Sequence, residues 1–187
     1  MKVLTVPYFA QNDNELWGGK HGNVQCCPTS NAMLAFAMKP YHLLEARKQG
    51  FVEPESYYKA LMVSCGYGAS DRGNHDAHTV VLDEAFGLKT RWHTDLTPDD
   101  FKKSIDQGFP VVFGMEYKVS GHIAIAVGYT ATGLIVNDPY GIREGSSNHY
   151  KEINQGYPST VGEHDAYSWA LLNKVVFVGG GWGRLAV

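Results

Sequence analysis

The amino-acid sequence predicts an α+β fold in which helices from the N-terminal half pack on an antiparallel sheet from the C-terminal half. Three observations predict it. Helical patterns are concentrated before residue 107; short runs of β-branched and aromatic residues, separated by Gly- and Asn-containing turns, follow from residue 111; and no Pro-, Gly- or Ser-rich linker divides the chain. With 187 residues, 44% of them hydrophobic and 12% aromatic, there is enough apolar material for one sizeable core. Residues 1–187 are therefore expected to form a single domain.

Residues 3–10, VLTVPYFA, mix β-branched and aromatic residues around Pro7 and predict an edge strand or an extended arm. A loop rich in Asn, Asp and Gly follows. From Pro28 to Met38 the Ala, Met, Leu and Phe content predicts a helix, with Pro28 in its first turn and Lys39-Pro40 ending it. Cys26 and Cys27 then stand at its N-terminus. Further helices are predicted at 54–64 (PESYYKALMVS), 76–86 (DAHTVVLDEAF) and 97–107 (TPDDFKKSIDQ), the last with Thr97 as N-cap and acidic residues in its first turn. Strands are predicted at 111–117, 122–130, 133–139 and 174–180, and the tail GGGWGRLAV is either a closing strand or a flexible end.

A net charge of −3 and a pI near 6.2 give no general attraction to nucleic acid or to an anionic membrane. No apolar run approaches the roughly 20 residues needed to cross a bilayer, and the start MKVLTVPYFA has no signal-peptide pattern. A product made in the cytoplasm, without membrane insertion and monomeric, is expected. Cys26, Cys27 and Cys65 cannot build a disulfide framework, so reduced thiols are expected.

A thiol at a helix N-terminus faces the positive end of the helix dipole and unpaired N–H groups, which favours its thiolate. Filling space is the competing role of a cysteine, and helix geometry alone does not choose between Cys26 and Cys27. SGHIAIAVGYTATGLIVNDPYG places His122 at the opening of an apolar strand and Asp138 at the end of the next. If these strands pair as a hairpin around Thr130–Gly133, the two side chains lie near one end of the sheet. A thiol, an imidazole that activates it and a carboxylate that orients the imidazole would make a nucleophilic triad. Asn137 is the alternative third member, since strand alternation lets only one of the neighbours point at His122.

The succession VPYFAQNDN, CCPTSNAML, GHIAIAVGY and VNDPYG resembles family thirty-nine of the cysteine peptidases, the papain-fold group named for bacteriocin leader peptidases. QNDN with SNAM, the segment FGLKTRWHTDLTPDDFKKSIDQGFPVVFGM, the late GYPST and the terminal GW are similar to small bacteriophage lysins of that group. The resemblance implies a papain-like fold and a catalytic set of Cys26, His122 and Asp138, with Gln11 in the oxyanion hole. It puts the nucleophile at Cys26 and leaves Cys27 in a variable position. The loop from Gln11 to Cys26 is longer than in the leader peptidases. The resemblance also implies acyl transfer without a cofactor or metal, acting on peptidoglycan peptides as an endolysin or virion-associated lysin. A processing peptidase for a protein or leader peptide, and a papain-fold binding protein with a disused site, are the alternatives.

Three further groupings have ordinary readings. His75, Asp76 and His78 lack the i, i+4 histidine pair of a zinc-peptidase helix, and Asp76 reads as a helix cap or dipole partner. Asn12-Asp13-Asn14-Glu15 is oxygen-rich but lacks the spacing of a calcium loop, so loop solvation or support of Gln11 is expected. Trp17, between Gln11 and Cys26, is expected beside the cleft.

Overall fold

In the computed structural model, which describes residues 1–13, 16–17, 24–117, 121–144, 149–154 and 159–187, helices and strands follow the predicted segregation with two departures, a strand at Thr90–Leu96 among the helices and a helix at Trp169–Val175 among the strands. The helices are α1 (Cys26–Met38), α2 (Tyr41–Lys48), α3 (Pro54–Ser64), α4 (His75–Phe86), α5 (Pro98–Asp106) and α6 (Trp169–Val175). The strands are β1 (Lys2–Val3), β2 (Thr90–Leu96), β3 (Val111–Met115), β4 (His122–Tyr129), β5 (Gly133–Asn137), β6 (Gly141–Arg143), β7 (Tyr150–Ile153), β8 (Asp165–Ser168) and β9 (Gly181–Ala186). Local chemistry starts the helices. Thr97 and Asp100 exchange side-chain and backbone hydrogen bonds in a capping box at α5. At α4 the Asn74 side chain accepts from the N–H groups of Asp76 and Ala77, so Asn74 is the cap and Asp76 contributes only first-turn charge.

The main sheet is antiparallel throughout, in the order β2-β9-β3-β4-β5-β8, with β1 added to the far end of β4. Period-two alternation divides it into two faces. Val112, Ile125 and Val127 point to one core with residues of α1, α3 and α4. Val111, Phe113, Ala124, Ala126, Leu134 and Val136 point to the other, with α5 and α6. Helix α1 lies within the first core, buried continuously from Cys27 to Phe36. Phe36 there meets Phe9 and Phe86 edge-on at 5.7 and 5.9 Å. A small hairpin of β6 and β7 stands beside the end of β5.

Two predicted strands change. Of 3–10, only Lys2–Val3 pairs; Leu4 donates one more hydrogen bond to Val127 O, and the chain through Pro7 continues as an arm. Residues 174–180 are not a strand. Ser168 caps Leu171 N and starts α6 through Val175, and a turn leads to β9, which is the closing strand. Residues 181–186 pair on both sides, with β2 and β3, so the edge is closed there and Val176–Gly180 is left to turn. In the loop before α1, Asn14 and Glu15 lie outside the described residues. Asn12 donates to Asn154 O at 2.8 Å. The Asp13 carboxyl, expected in solvent, is buried near Glu55 and Lys59 and is pushed up to about 6 by that burial.

Candidate active site

Helix α1 aims its N-terminus at the start of β4, and two contacts fix the meeting. Ser30 Oγ donates to Ile123 O at 3.2 Å, and the Ile123 N–H donates to the Cys26 sulfur. Gly121 makes the turn that delivers His122, with φ +69° and a Cβ position 3.3 Å from Met115 O, a conformation suited to glycine. The predicted hairpin forms: Thr130 N donates to Gly133 O, and β4 pairs with β5. Asp138 follows the last residue of β5, and its carboxylate reaches His122 Nε2 at 2.7 Å. The ring also hydrogen-bonds Cys26, which leaves Nδ1 for the thiol. Asn137 points elsewhere, accepting from His164 N at 3.0 Å and donating to Val6 O.

Asp138 is completely buried and densely supplied with donors. Besides His122 it accepts from Tyr140 N at 2.9 Å, Tyr150 OH at 2.7 Å and Tyr167 OH. Gly162 closes over its main chain. Asp138 N donates to Gly162 O at 2.9 Å, and at φ +104° a Cβ on Gly162 would stand 2.2 Å from Asp138 O. Arg143, itself buried, donates to Tyr167 OH at 3.1 Å and sits under the rings of Tyr117, Tyr150 and Tyr167. A positive charge is thus placed behind the hydroxyls that hold the carboxylate.

The electrostatics follow from this packing. Burial pushes Asp138 up, but the His122 charge and hydrogen bond, then Tyr167 OH and Tyr140 N–H, outweigh it and hold the carboxyl below its ordinary range. Burial would lower His122; the charge and hydrogen bond of Asp138, followed by those of Cys26, raise the ring to about 9. Burial raises Cys26, and the hydrogen bond and charge of His122 with the Ile123 N–H bring its thiol down on balance. The three groups therefore favour thiolate, imidazolium and carboxylate together near neutral pH. Cys27 behaves oppositely: burial first, and then the charge of Cys26, push its thiol up. It is packed against Asn31 Nδ2 at 3.6 Å and His75 Nδ1 at 4.0 Å.

Cys26 and His122 open onto a cleft of about 410 Å³, walled by Gly114, Met115, Ile123 and Trp182 on the sheet side and by Ser70, Arg72 and His75 on the helix side. Gln11 is buried and its N–H donates to Pro139 O at 2.8 Å, which ties it to the chain beside Asp138; it is not part of the cleft wall. Trp17 packs against the core of α1, α3 and α4 instead of the cleft. The exposed tryptophan at the cleft is Trp182, and Trp92 stacks on His75 at 3.5 Å. His78 is turned inward, between Tyr58 OH at 2.9 Å and Arg72 O at 3.0 Å. His75 and His78 are thus engaged separately, and among the described residues no three potential metal ligands gather. Sequence reasoning missed Tyr150, Tyr167, Arg143 and Arg72. The two tyrosines come from short strands whose contact with Asp138 has no local pattern.

Among the described residues no helix is long and apolar enough to cross a membrane. In sequence, the model of the Peptidase_C39 like family matches residues 3–164. No curated protein matches the chain. In fold, the chain is similar to a double glycine motif protease from an AMS/PCAT transporter, solved with its leader peptide. The TM-score is 0.55 at 14% identity, over 98% of this chain and 92% of that one. A C39-like peptidase from Bacillus anthracis aligns at a TM-score of 0.47 and 16% identity, over 100% of this chain and 98% of that one. The family match spans the helix that opens with Cys26 and the hairpin that carries His122 and Asp138, so the chain belongs to the Peptidase_C39 like family.

Proposed function

We propose that the protein is a cysteine peptidase of bacterial cell-wall peptides, with Cys26 as nucleophile, His122 as acid and base, and Asp138 as the group that orients His122. One observation carries the reading: a single buried imidazole bridges a helix-terminal thiol and a buried carboxylate. The Cys26 thiolate attacks the substrate carbonyl carbon, and the oxyanion is held by the Cys26 backbone N–H, an orphan donor of the first helical turn; Gln11, buried outside the cleft wall, is left as a support of the chain beside Asp138. His122 gives its proton to the leaving nitrogen as the C–N bond breaks. It then takes one from the water that attacks the acyl-enzyme and releases the thiolate.

For the substrate, the match to lysin-type motifs supports peptidoglycan stem peptides or cross-bridges, in an endolysin or virion-associated lysin. A processing peptidase is the second reading, favoured by the likeness to the protease solved with a leader peptide. Mass spectrometry of fragments released from defined peptidoglycans, run beside denatured proteins and leader-type peptides, separates the two. New amino groups from walls, absent with Cys26→Ala, support the lysin. Turnover of protein substrates alone supports processing. Thiol labelling without turnover of anything refutes both.

A further inference from the structure

Among the described residues, the cleft that receives the substrate holds one fixed cation apart from His122. Arg72 follows a 3-10 turn at Ala69–Asp71 and lines the same cavity as Cys26 and His122. Its position is built. Nη1 donates to Ala69 O at 2.6 Å, which clamps the guanidinium over its own turn. Its carbonyl accepts from Nε2 of His78, whose Nδ1 faces Tyr58 OH at 2.9 Å. With Nε2 donating to a carbonyl and Nδ1 accepting from a hydroxyl, His78 is the neutral tautomer, and burial lowers it to about 3. Arg72 is therefore carried on a buried, hydrogen-bonded support and not on a loose loop.

Among the described residues no carboxylate pairs with it, and the adjacent Asp71 is turned back onto Gly68 N at 2.9 Å to close its own turn. Opposite stand Gly114, Met115, Ile123 and Trp182, which offer apolar surface, and His75 beside it is held down to about 4 by burial and the charge of Arg184. A guanidinium has five N–H donors in a planar fork that matches a carboxylate, and one of them is used internally.

We propose that Arg72 is a substrate-recognition residue that pairs with a free carboxylate one or two residues from the scissile bond. This rests on the peptidase reading and narrows its substrate to an acidic peptide. Stem peptides, with free carboxylates on γ-linked glutamate and on their C-termini, have that chemistry.

The test compares kcat/KM for synthetic peptides in acid and amide pairs. Glu and Gln are walked along the positions flanking the cleaved bond, and the γ-linked glutamate of a stem tetrapeptide is used free and amidated. The wild-type protein is expected to prefer the acid at one position by about tenfold or more, as for a charged hydrogen bond. Arg72→Gln should reduce that ratio to near one, chiefly through KM. Arg72→Lys should restore part of it, and Arg72→Glu should favour Lys at the same position. A wild-type ratio near one, or a ratio that Arg72→Gln leaves unchanged, overturns the proposal. If the wild-type protein cleaves no peptide, it is the peptidase reading that fails. Binding of the same pairs to Cys26→Ala, with and without Arg72→Gln, then decides the carboxylate site: an acid preference that depends on Arg72 upholds it, and equal binding overturns it.

Discussion

Replacing Asp138 by Asn removes one charge and keeps the shape, so it isolates what the carboxylate does to His122. The ring titrates at about 9 instead of 6.5. At ~1.36 kcal/mol per pH unit, that difference corresponds to roughly 3 kcal/mol in favour of the imidazolium. Asp138 heads the causes that act against burial, so without its charge the ring should fall from about 9 toward its ordinary value and hold the Cys26 thiolate far less well at pH 7. The thiolate is read directly from its absorbance near 240 nm and from the rate of iodoacetamide alkylation. Cys27 and Cys65 are both raised, so near neutral pH the signal belongs to Cys26. Asp138→Asn should lower the alkylation rate at pH 7 by about a hundredfold or more and move the alkaline limb of kcat/KM down from about pH 9. A variant that stays folded and keeps both the neutral thiolate and the limb near 9 would refute the linkage of Asp138 to Cys26 through His122. Stability gives the same sign. A ring raised from 6.5 to about 9 stabilises the fold fully below pH 6.5 and loses that contribution as pH rises through about 9. Cys26 has the opposite sign, since a thiol held below its ordinary value of 9.0 adds stability as pH rises toward 9, so the two offset each other in the wild-type protein; denaturation midpoints should therefore fall between those pH values in Cys26→Ala and remain flatter when Asp138→Asn is added to it.

Cys26→Ala should abolish peptide turnover and the neutral thiolate signal, whereas Cys27→Ala should keep most of both, with equal loss in the two variants overturning the assignment. Tyr167→Phe deletes a buried hydroxyl that donates to Asp138 and accepts from Arg143; the expected loss is about 1.5–3 kcal/mol in denaturant unfolding, and an unchanged midpoint would show that the hydroxyl contributes nothing. Gly162→Ala forces a methyl group toward Asp138 O from a left-handed backbone, and should lower stability by about 1–3 kcal/mol and depress kcat. Gly68→Ala, whose added carbon meets nothing within 4 Å, should do neither.

The parts of this molecule that sequence reasoning recovers are those coded by neighbours in the chain. Thr97 and Asp100 cap α5 three residues apart, Thr130–Gly133 turns the hairpin, and alternation along HIAIAVGY sets which residues face each core. The triad positions follow from the same two elements once they meet. What escapes is coded by distant partners. β2, with polar residues at most positions, forms because β9 offers a ladder from 90 residues away. VVFV at 175–178 has high β-propensity, yet Ser168 and the Trp-Ala-Leu-Leu run before it nucleate α6, and β9 already occupies the slot between β2 and β3. Tyr150 and Tyr167 reach Asp138 from 12 and 29 residues downstream, and no local rule marks a tyrosine as a carboxylate's donor.

The twin cysteines show what decides reactivity at a helix N-terminus. The dipole acts on both, since successive residues differ by only about 1.5 Å of rise, and so it cannot separate them. Rotation by about 100° per residue does. Cys26 is turned to β4, where His122 and the Ile123 N–H favour the anion; Cys27 is turned to α4, between a neutral His75 of that helix and Asn31 of its own. Arg184 lowers Cys27 somewhat, but burial and the negative charge on Cys26 outweigh it. The two thiols are therefore coupled against each other: ionising the first keeps the second protonated. Alkylation at pH 7 should accordingly stop near one label per chain, carried on Cys26 in the peptide map. A second equivalent on Cys27, entering at a comparable rate, would mean that the helix terminus and not the His122 wall sets the chemistry.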